Sequence, residues 1–239
     1  MRAAAMAVTT PSPRREFPKS AADLNSSMML MGTRIPYGPN EEIFGEGEPT
    51  QYIYKVISGW VRSYKVLDDG RRQIIGFRLP GQVFGLELTE NHQFSAEAVN
   101  DTIILVVKRS AIMRLATHNV DIGRELWAIT ARELQCVQDH TLLLACMSAK
   151  ARVAAFLLHM APFGSNENEI ELPMTREDIA DYLAMTIETV SRAITQLRND
   201  TAIEVPSRRG RRKSGGSDKA WPNTYRAGKL IADQRLRAK

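Results

Sequence analysis

Cysteine is scarce in this chain: among 239 residues there are only Cys136 and Cys146. Two thiols can neither build a disulfide framework nor hold an iron–sulfur cluster within one chain, and a reducing cytoplasm is the expected compartment. Long apolar runs are lacking as well, none approaching the roughly 18 residues of a membrane span. The opening Met1-Arg2-Ala3-Ala4-Ala5-Met6 has no apolar stretch of about 7–15 residues, so no secretory signal is expected. His92, His118, His140 and His159 are scattered, which disfavours a metal enzyme needing clustered ligands.

What remains is ordinary globular material, 44% hydrophobic and 25% charged, enough for one large domain or two small ones with their own cores. The net charge of +5 is unevenly spread. Residues 206–239 hold 11 basic and 2 acidic side chains, a net of +9, and residues 1–205 carry −4. The basic character belongs to one tail, so pI says little about the folded body.

Pro11, Pro13 and Pro18 mark residues 1–30 as a flexible lead-in. From Ile35 to Val107 short apolar runs alternate with glycines. Tyr52-Ile53-Tyr54-Lys55-Val56, Val61-Arg62-Ser63-Tyr64-Lys65-Val66, Gln73-Ile74-Ile75-Gly76-Phe77 and Thr102-Ile103-Ile104-Leu105-Val106-Val107 read as strands. Asp69-Gly70 reads as a tight hairpin in which both residues tolerate positive φ. Many short, evenly spaced strands indicate a sandwich or barrel-like roll, with Tyr52, Tyr54, Trp60 and Phe77 in its core.

After Ser110 the period becomes helical: Ile122, Leu126, Ile129, Leu134, Val137, Thr141 and Leu144 recur at three- and four-residue steps. A helix of about 24 residues is about 36 Å long, more than a small roll covers. Its stripe either meets a copy of itself as a coiled-coil-like dimer seam or packs within one chain. Ser148 is placed to cap a helix over 149–160, and Pro162-Phe163-Gly164 to end it before a polar loop over 165–169.

Residues 175–198 carry the chemistry. Thr175 and Asp178 have capping-box spacing. Ile179 and Leu183 share a face, and Leu183-Ala184-Met185 is a short connector to a second helix that Thr186 can cap. That helix sets Val190, Ala193, Ile194 and Leu197 on one face, and Glu188, Ser191, Arg192 and Thr195 on the other. Such a pair is what a helix-turn-helix needs. Arg192 can donate two parallel bonds to guanine O6 and N7, and Glu188 can accept from cytosine N4. Taken alone, Glu188 and Arg192 would equally suit a solvated i,i+4 pair. The candidate DNA-contacting set is Thr175, Thr186, Ile187, Glu188, Thr189, Ser191, Arg192 and Thr195.

The segment Glu188-Thr189-Val190-Ser191-Arg192 resembles the recognition helix of Crp/Fnr-type bacterial transcription regulators. Val61 to Gln73 and Leu79-Pro80-Gly81-Gln82-Val83-Phe84-Gly85 resemble the FixK subgroup. The resemblance implies an α+β chain: an N-terminal β-roll of jelly-roll type, a long dimerisation helix and a C-terminal winged helix-turn-helix. The implied divisions are a roll over 31–118, the dimerisation helix over 119–145 and the DNA-binding domain over 146–205; the basic run over 206–239, atypical of the family, is read as a tail replacing or extending the wing. The resemblance further implies a cytoplasmic homodimer that binds double-stranded DNA at an FNR-like palindrome, TTGAT with its inverted copy. Such a protein would touch RNA polymerase and activate oxygen-limitation or nitrogen-fixation genes.

No cofactor is expected. Cyclic-nucleotide-binding relatives use Gly-Glu for the ribose and Arg-Ser/Thr for the phosphate. Here Gly85 is followed by Leu86, and Phe94-Ser95-Ala96 replaces the Arg-Ser-Ala segment. A phosphate buried without a cation is costly. The oxygen-labile iron–sulfur centre of FNR needs an N-terminal cysteine cluster, and no cysteine precedes Cys136. A roll gated by another small ligand is the alternative. The wing's first strand is expected at Thr201-Ala202-Ile203-Glu204-Val205, with threonine where glycine is more usual; no second strand is visible beyond it. Because residues 175–205 are net −3, the tail either supplies phosphate neutralisation or is a non-functional terminus.

Overall fold

The computed structural model describes residues 23–161, 169–204 and 224–227. Helix α1 (Leu24–Met31) comes first, capped by Asp23, whose carboxylate accepts from the Ser26 N–H at 2.6 Å. Leu24 and Met28, one turn apart, are buried. The flexible lead-in predicted over 1–30 is therefore corrected from Leu24 onward. Two apolar residues on one face suffice to dock a short helix, but they are too few to register as a period.

Eight strands follow: β1 (Thr33–Tyr37), β2 (Glu42–Phe44), β3 (Tyr52–Ser58), β4 (Val61–Val66), β5 (Arg72–Arg78), β6 (Val83–Phe84), β7 (Ser95–Ala98) and β8 (Thr102–Lys108). They form two antiparallel four-stranded sheets ordered β1-β8-β3-β6 and β2-β7-β4-β5. Phe44, Tyr54, Val56, Val61, Phe84, Ala96 and Ile104, drawn from both sheets, make the roll's core. The hairpin between β4 and β5 differs from a two-residue turn. Leu67 N–H donates to Arg71 O and Gly70 N–H to Leu67 O, both at 2.8 Å, and only Gly70 has positive φ, at 81°. The loop is long enough that one left-handed residue reverses the chain.

Helix α2 (Arg109–His118) leads to α3 (Val120–Cys146), whose N-terminus Asn119 caps. At 27 residues, α3 is about 40 Å long. The predicted stripe does not have a single partner. Ile122, Leu126 and Ile129 pack on the roll with Leu24, Met28, Ile53, Leu105, Val107 and Ile112. Leu134, Val137 and Thr141 are exposed, whereas Leu144 is half-buried. The exposed face gains Trp127, which is 76% exposed.

Helix α4 (Ala149–Met160) is capped by Ser148 as expected. The predicted stop at Pro162-Phe163-Gly164 lies outside the described residues, as does all of the polar loop but Glu169, which opens β9 (Glu169–Glu171). Then come α5 (Arg176–Tyr182), α6 (Ile187–Asn199), β10 (Ile203–Glu204) and β11 (Thr224–Ala227). These last strands complete a three-stranded sheet ordered β10-β11-β9, with Ile203 opposite Ala227 and Tyr225 opposite Ile170. The wing therefore has its second strand, which the sequence pattern conceals because it lies 20 residues beyond β10, after the basic run.

One apolar cluster joins roll and head. Val153, Phe156, Ile179, Leu183, Val190, Ala193, Ile194 and Leu197 pack with Ile74, Phe77 and Val99 of the roll. Phe77, predicted for the roll core, instead faces Phe156 and Tyr182, with ring centroids 6.2 and 5.4 Å away. Trp60 packs against the same cluster.

Candidate nucleic-acid interface

Helices α5 and α6 form the pair that the spacing predicts. The capping box is complete: Thr175 Oγ1 accepts from the Asp178 N–H at 3.1 Å, and the Thr175 N–H donates to Asp178 Oδ2 at 2.9 Å. In the connector Ala184 takes a left-handed φ of 52°, and the Met185 N–H donates to Ala180 O at 3.0 Å. Thr186 Oγ1 caps α6 by accepting from the Thr189 N–H at 3.3 Å. Val190, Ala193, Ile194 and Leu197 are all buried, which fixes the opposite face outward.

That outward face carries most of the predicted set. Ile187, Glu188, Arg192 and Thr195 are exposed, and Thr189 and Ser191 are half-buried. The backbone N–H of Glu188 itself and the Thr186 hydroxyl hold the Glu188 carboxyl below the usual carboxylate range, so it is an acceptor at neutral pH. Arg192 Nε donates to Glu188 O at 3.4 Å, and Thr195 Oγ1 donates to Ser191 O at 2.9 Å. Thr175 and Thr186 are exposed, but their hydroxyls serve caps. The Thr175 hydroxyl also donates to Asp178 Oδ2 at 2.9 Å, so its hydrogen is already used.

Arg176 lies outside the predicted set. Its Nη1 donates to Ser191 Oγ at 2.9 Å, across a sequence separation of 15. No local pattern signals such a bond.

The roll also grips this unit. Arg62, only 5% exposed, donates from Nε to Glu97 Oε1 at 2.6 Å, from Nη1 to Asp178 Oδ2 at 3.1 Å and from Nη2 to Asn40 Oδ1 at 2.7 Å. Arg72 donates from Nε to Asp181 Oδ2 at 2.8 Å, from Nη2 to Asp178 Oδ1 at 2.7 Å and from Nη1 to Glu97 Oε1 at 3.3 Å. Gln73 Nε2 donates to the Asp181 carbonyl. The Asp178 side chain is 1% exposed. His140 of α3 stacks on Tyr182 at 4.1 Å, and burial pushes the Tyr182 hydroxyl up to about 12.

Around Gly85 several of the roll's own groups are in close contact. Gly85 has φ 73°, and a Cβ there would lie 2.7 Å from the Tyr54 ring. Arg109, a cation outside the Phe94-Ser95-Ala96 segment, donates from Nη2 to Gly85 O at 2.7 Å and from Nη1 to Glu87 O. Ser95 Oγ accepts from the Glu46 N–H at 2.9 Å. His92 stacks on Phe44 at 3.7 Å.

Comparison with known proteins fits this geometry. Residues 34–119 match the cyclic nucleotide-binding domain and residues 151–212 the Crp-like helix-turn-helix domain. The chain is 44% identical over 184 residues to the nitrogen fixation regulation protein FixK of Azorhizobium caulinodans, covering 75% of this chain and 74% of that one. It belongs to the Crp/Fnr family. This Crp/Fnr chain is also 37% identical over 179 residues to the transcriptional activatory protein AadR of Rhodopseudomonas palustris, covering 73% and 75%. The structure of FixK2 from Bradyrhizobium japonicum superposes with a TM-score of 0.74 at 44% identity, over 87% of this chain and 96% of that one. The Crp/Fnr architecture of sheet-rich domain, long helix and helix-turn-helix is thus shown, and the protein is a DNA-binding transcription regulator, not an enzyme. Among the described residues no helix is long and apolar enough to cross a membrane.

Proposed function

We propose that the chain acts in the cytoplasm as a homodimeric activator that binds an FNR-like palindrome of the TTGAT-N4-ATCAA type and contacts RNA polymerase. Its targets would be genes of oxygen limitation or nitrogen fixation, in keeping with relatives named for nitrogen fixation regulation. The observation that carries the reading is the outward face of α6. An ionised Glu188 and an exposed Arg192 stand one turn apart on a helix whose other face is locked into the head. Arg192 suits guanine, Glu188 suits the amino group of cytosine, and Ser191, Thr189 and Thr195 flank them at short reach. Thr175, Thr186 and Ile187 lie at the helix starts, where backbone N–H groups meet phosphate.

Trp127, Thr130, Leu134, Val137 and Thr141 form an exposed face of α3 at three- and four-residue steps, which supports pairing with a second copy. Two recognition helices would then enter successive major grooves about 34 Å apart. The apolar Leu86 and Phe94 positions support action without cyclic AMP.

Fluorescence anisotropy with the palindrome and a scrambled duplex, together with sedimentation of the free protein, tests this reading. Tight binding of one dimer to the palindrome alone, unchanged by added cyclic AMP, is expected. Equal binding to both duplexes, or a monomer throughout, would overturn it.

A further inference from the structure

Apolar burial holds two bodies together without prescribing their rotation, because the hydrophobic effect is non-directional. Planar guanidinium forks do prescribe it: each N–H meets its acceptor from one direction. In this protein the two forces coincide between roll and head. Ile74 and Phe77 supply the apolar share. Arg62 of β4 and Arg72 of β5 supply the directional share: besides Glu97 and Asn40 within the roll, Arg62 reaches Asp178, and Arg72 reaches Asp178 and Asp181, on the first helix of the helix-turn-helix.

Asp178 occupies the centre of this arrangement. Its carboxylate accepts from Thr175 at the start of α5 and from both arginines. The ion network is therefore continuous with the cap of α5. Asp181, one turn later, takes the Arg72 Nε, while Gln73 reaches the Asp181 carbonyl. Two points along one helix are thereby tied to two adjacent strands. Since α6 packs directly on α5, turning α5 turns α6. The DNA-reading face stays outward in this arrangement, with Glu188 and Arg192 exposed.

We infer that Arg62 and Arg72, both residues of the β-roll, are positioning residues for DNA recognition: through Asp178 and Asp181 they fix the direction of each recognition helix and so the half-site separation that the dimer accepts. This rests on the dimeric, palindrome-binding reading above. Neither arginine touches DNA in this scheme. Their loss leaves each head able to read its half-site but lets the two heads rotate relative to one another.

The test uses the full chain. Cys136 and Cys146 are replaced by serine, and a spin label is placed at Asn199→Cys, an exposed position at the end of α6. One label per protomer reports the separation of the two heads in the free dimer. In parallel, affinity is measured for palindromes whose half-sites are moved apart or together by one base pair, about 3.4 Å along the axis. Arg72→Gln and Asp181→Asn are compared with the parent.

A narrow label distance is expected in the parent and a broadened one in both variants. A one-base-pair shift should weaken the parent about tenfold or more and the variants about threefold or less, because avidity survives only where geometry allows both heads to engage. Preference for TTGAT over a scrambled half-site should persist. Arg72→Lys, which keeps the charge without the fork, should remain spacing-tolerant, a result that a merely stabilising charge would not give.

Folded, dimeric variants with the parent's distance and spacing profile would overturn the inference. If Arg72→Gln fails to fold, Asp181→Asn decides alone, since it leaves both arginine bonds to Asp178 in place. A parent that binds no palindrome would instead sink the function proposed above. A parent that binds with sharp spacing, beside variants that do likewise, would sink only this inference.

Discussion

Arg176 Nη1 and Ser191 Oγ stand 2.9 Å apart, joining the first turn of α5 to the exposed face of α6. The guanidinium can only donate, so the serine oxygen accepts, and its hydrogen remains available to a base or phosphate. Ser191→Ala removes both roles. It is expected to weaken palindrome binding by about 1 kcal/mol, the net worth of an ordinary hydrogen bond, with little change in thermal midpoint. An anisotropy titration reads the loss; unchanged affinity would mean that the bond to Arg176 is all Ser191 provides.

Arg192→Ala should be more selective in its effect. A guanidinium that reads guanine is worth about 1–3 kcal/mol on the cognate site and little on random sequence. A panel of palindromes changed symmetrically at each position would show relaxed preference at one base pair only. Equal losses on cognate and random DNA would reassign Arg192 to the phosphate backbone.

Stability should decline in mild acid. His92 is 1% exposed. Burial pulls its pKa below 6.5, with Glu87 and Glu48 opposing and Arg109 assisting. Burial moves His140 and His159 in the same direction. Each therefore binds a proton less readily in the folded chain than in the unfolded one. Their contribution to stability is complete above about pH 6.5 and is lost as pH falls through that range. The thermal midpoint should drop between pH 7.5 and 5.5. His92→Phe, which keeps the stack on Phe44, should flatten part of that drop; parallel curves for parent and variant would exclude His92 as a contributor.

The basic run invites a substitution rather than a truncation. Arg208, Arg209, Arg211, Arg212 and Lys213 precede β11 in sequence, so deleting residues 206–239 would remove the middle strand of the wing sheet. Changing these five residues to serine should reduce the slope of log affinity against log salt by up to about 0.9 for each phosphate no longer neutralised. Preference for the palindrome over a scrambled duplex should be unaffected. An unaltered slope would assign the run no part in DNA binding.

The readability of this chain follows the range of the forces involved. Both caps, the connector and the buried face of α6 are set within 25 residues, and there residue spacing predicts the geometry closely. Thr201 departs from the family pattern rather than fulfilling a local expectation. Its position, where glycine is more usual, has φ 57°. Burial is legible where partnership is not: Phe77 reads correctly as a core residue, but only the folded chain shows that its neighbours are Phe156 and Tyr182. The stripe of α3 reads as one face, yet Ile122, Leu126 and Ile129 serve the roll while Leu134, Val137 and Thr141 are exposed. Arg62 and Arg72 give no signal, since an arginine on a strand resembles a solvated one until an aspartate more than 100 positions away closes on it. The second wing strand escapes notice for a related reason: four residues beyond a charged run carry no period of their own.

The apolar cluster shared by Ile74, Phe77, Phe156 and Leu183 bears on how the molecule comes apart. A head with a private core could melt by itself and leave an intact roll behind. This head draws part of its core from β5, so unravelling either body strips the other of buried surface, and loss of the roll strands the Asp178 carboxylate without Arg62 and Arg72. Roll and head should thus unfold in one cooperative step, and a protease cut near Met147 should yield two unstable fragments, neither a free-standing DNA-binding module.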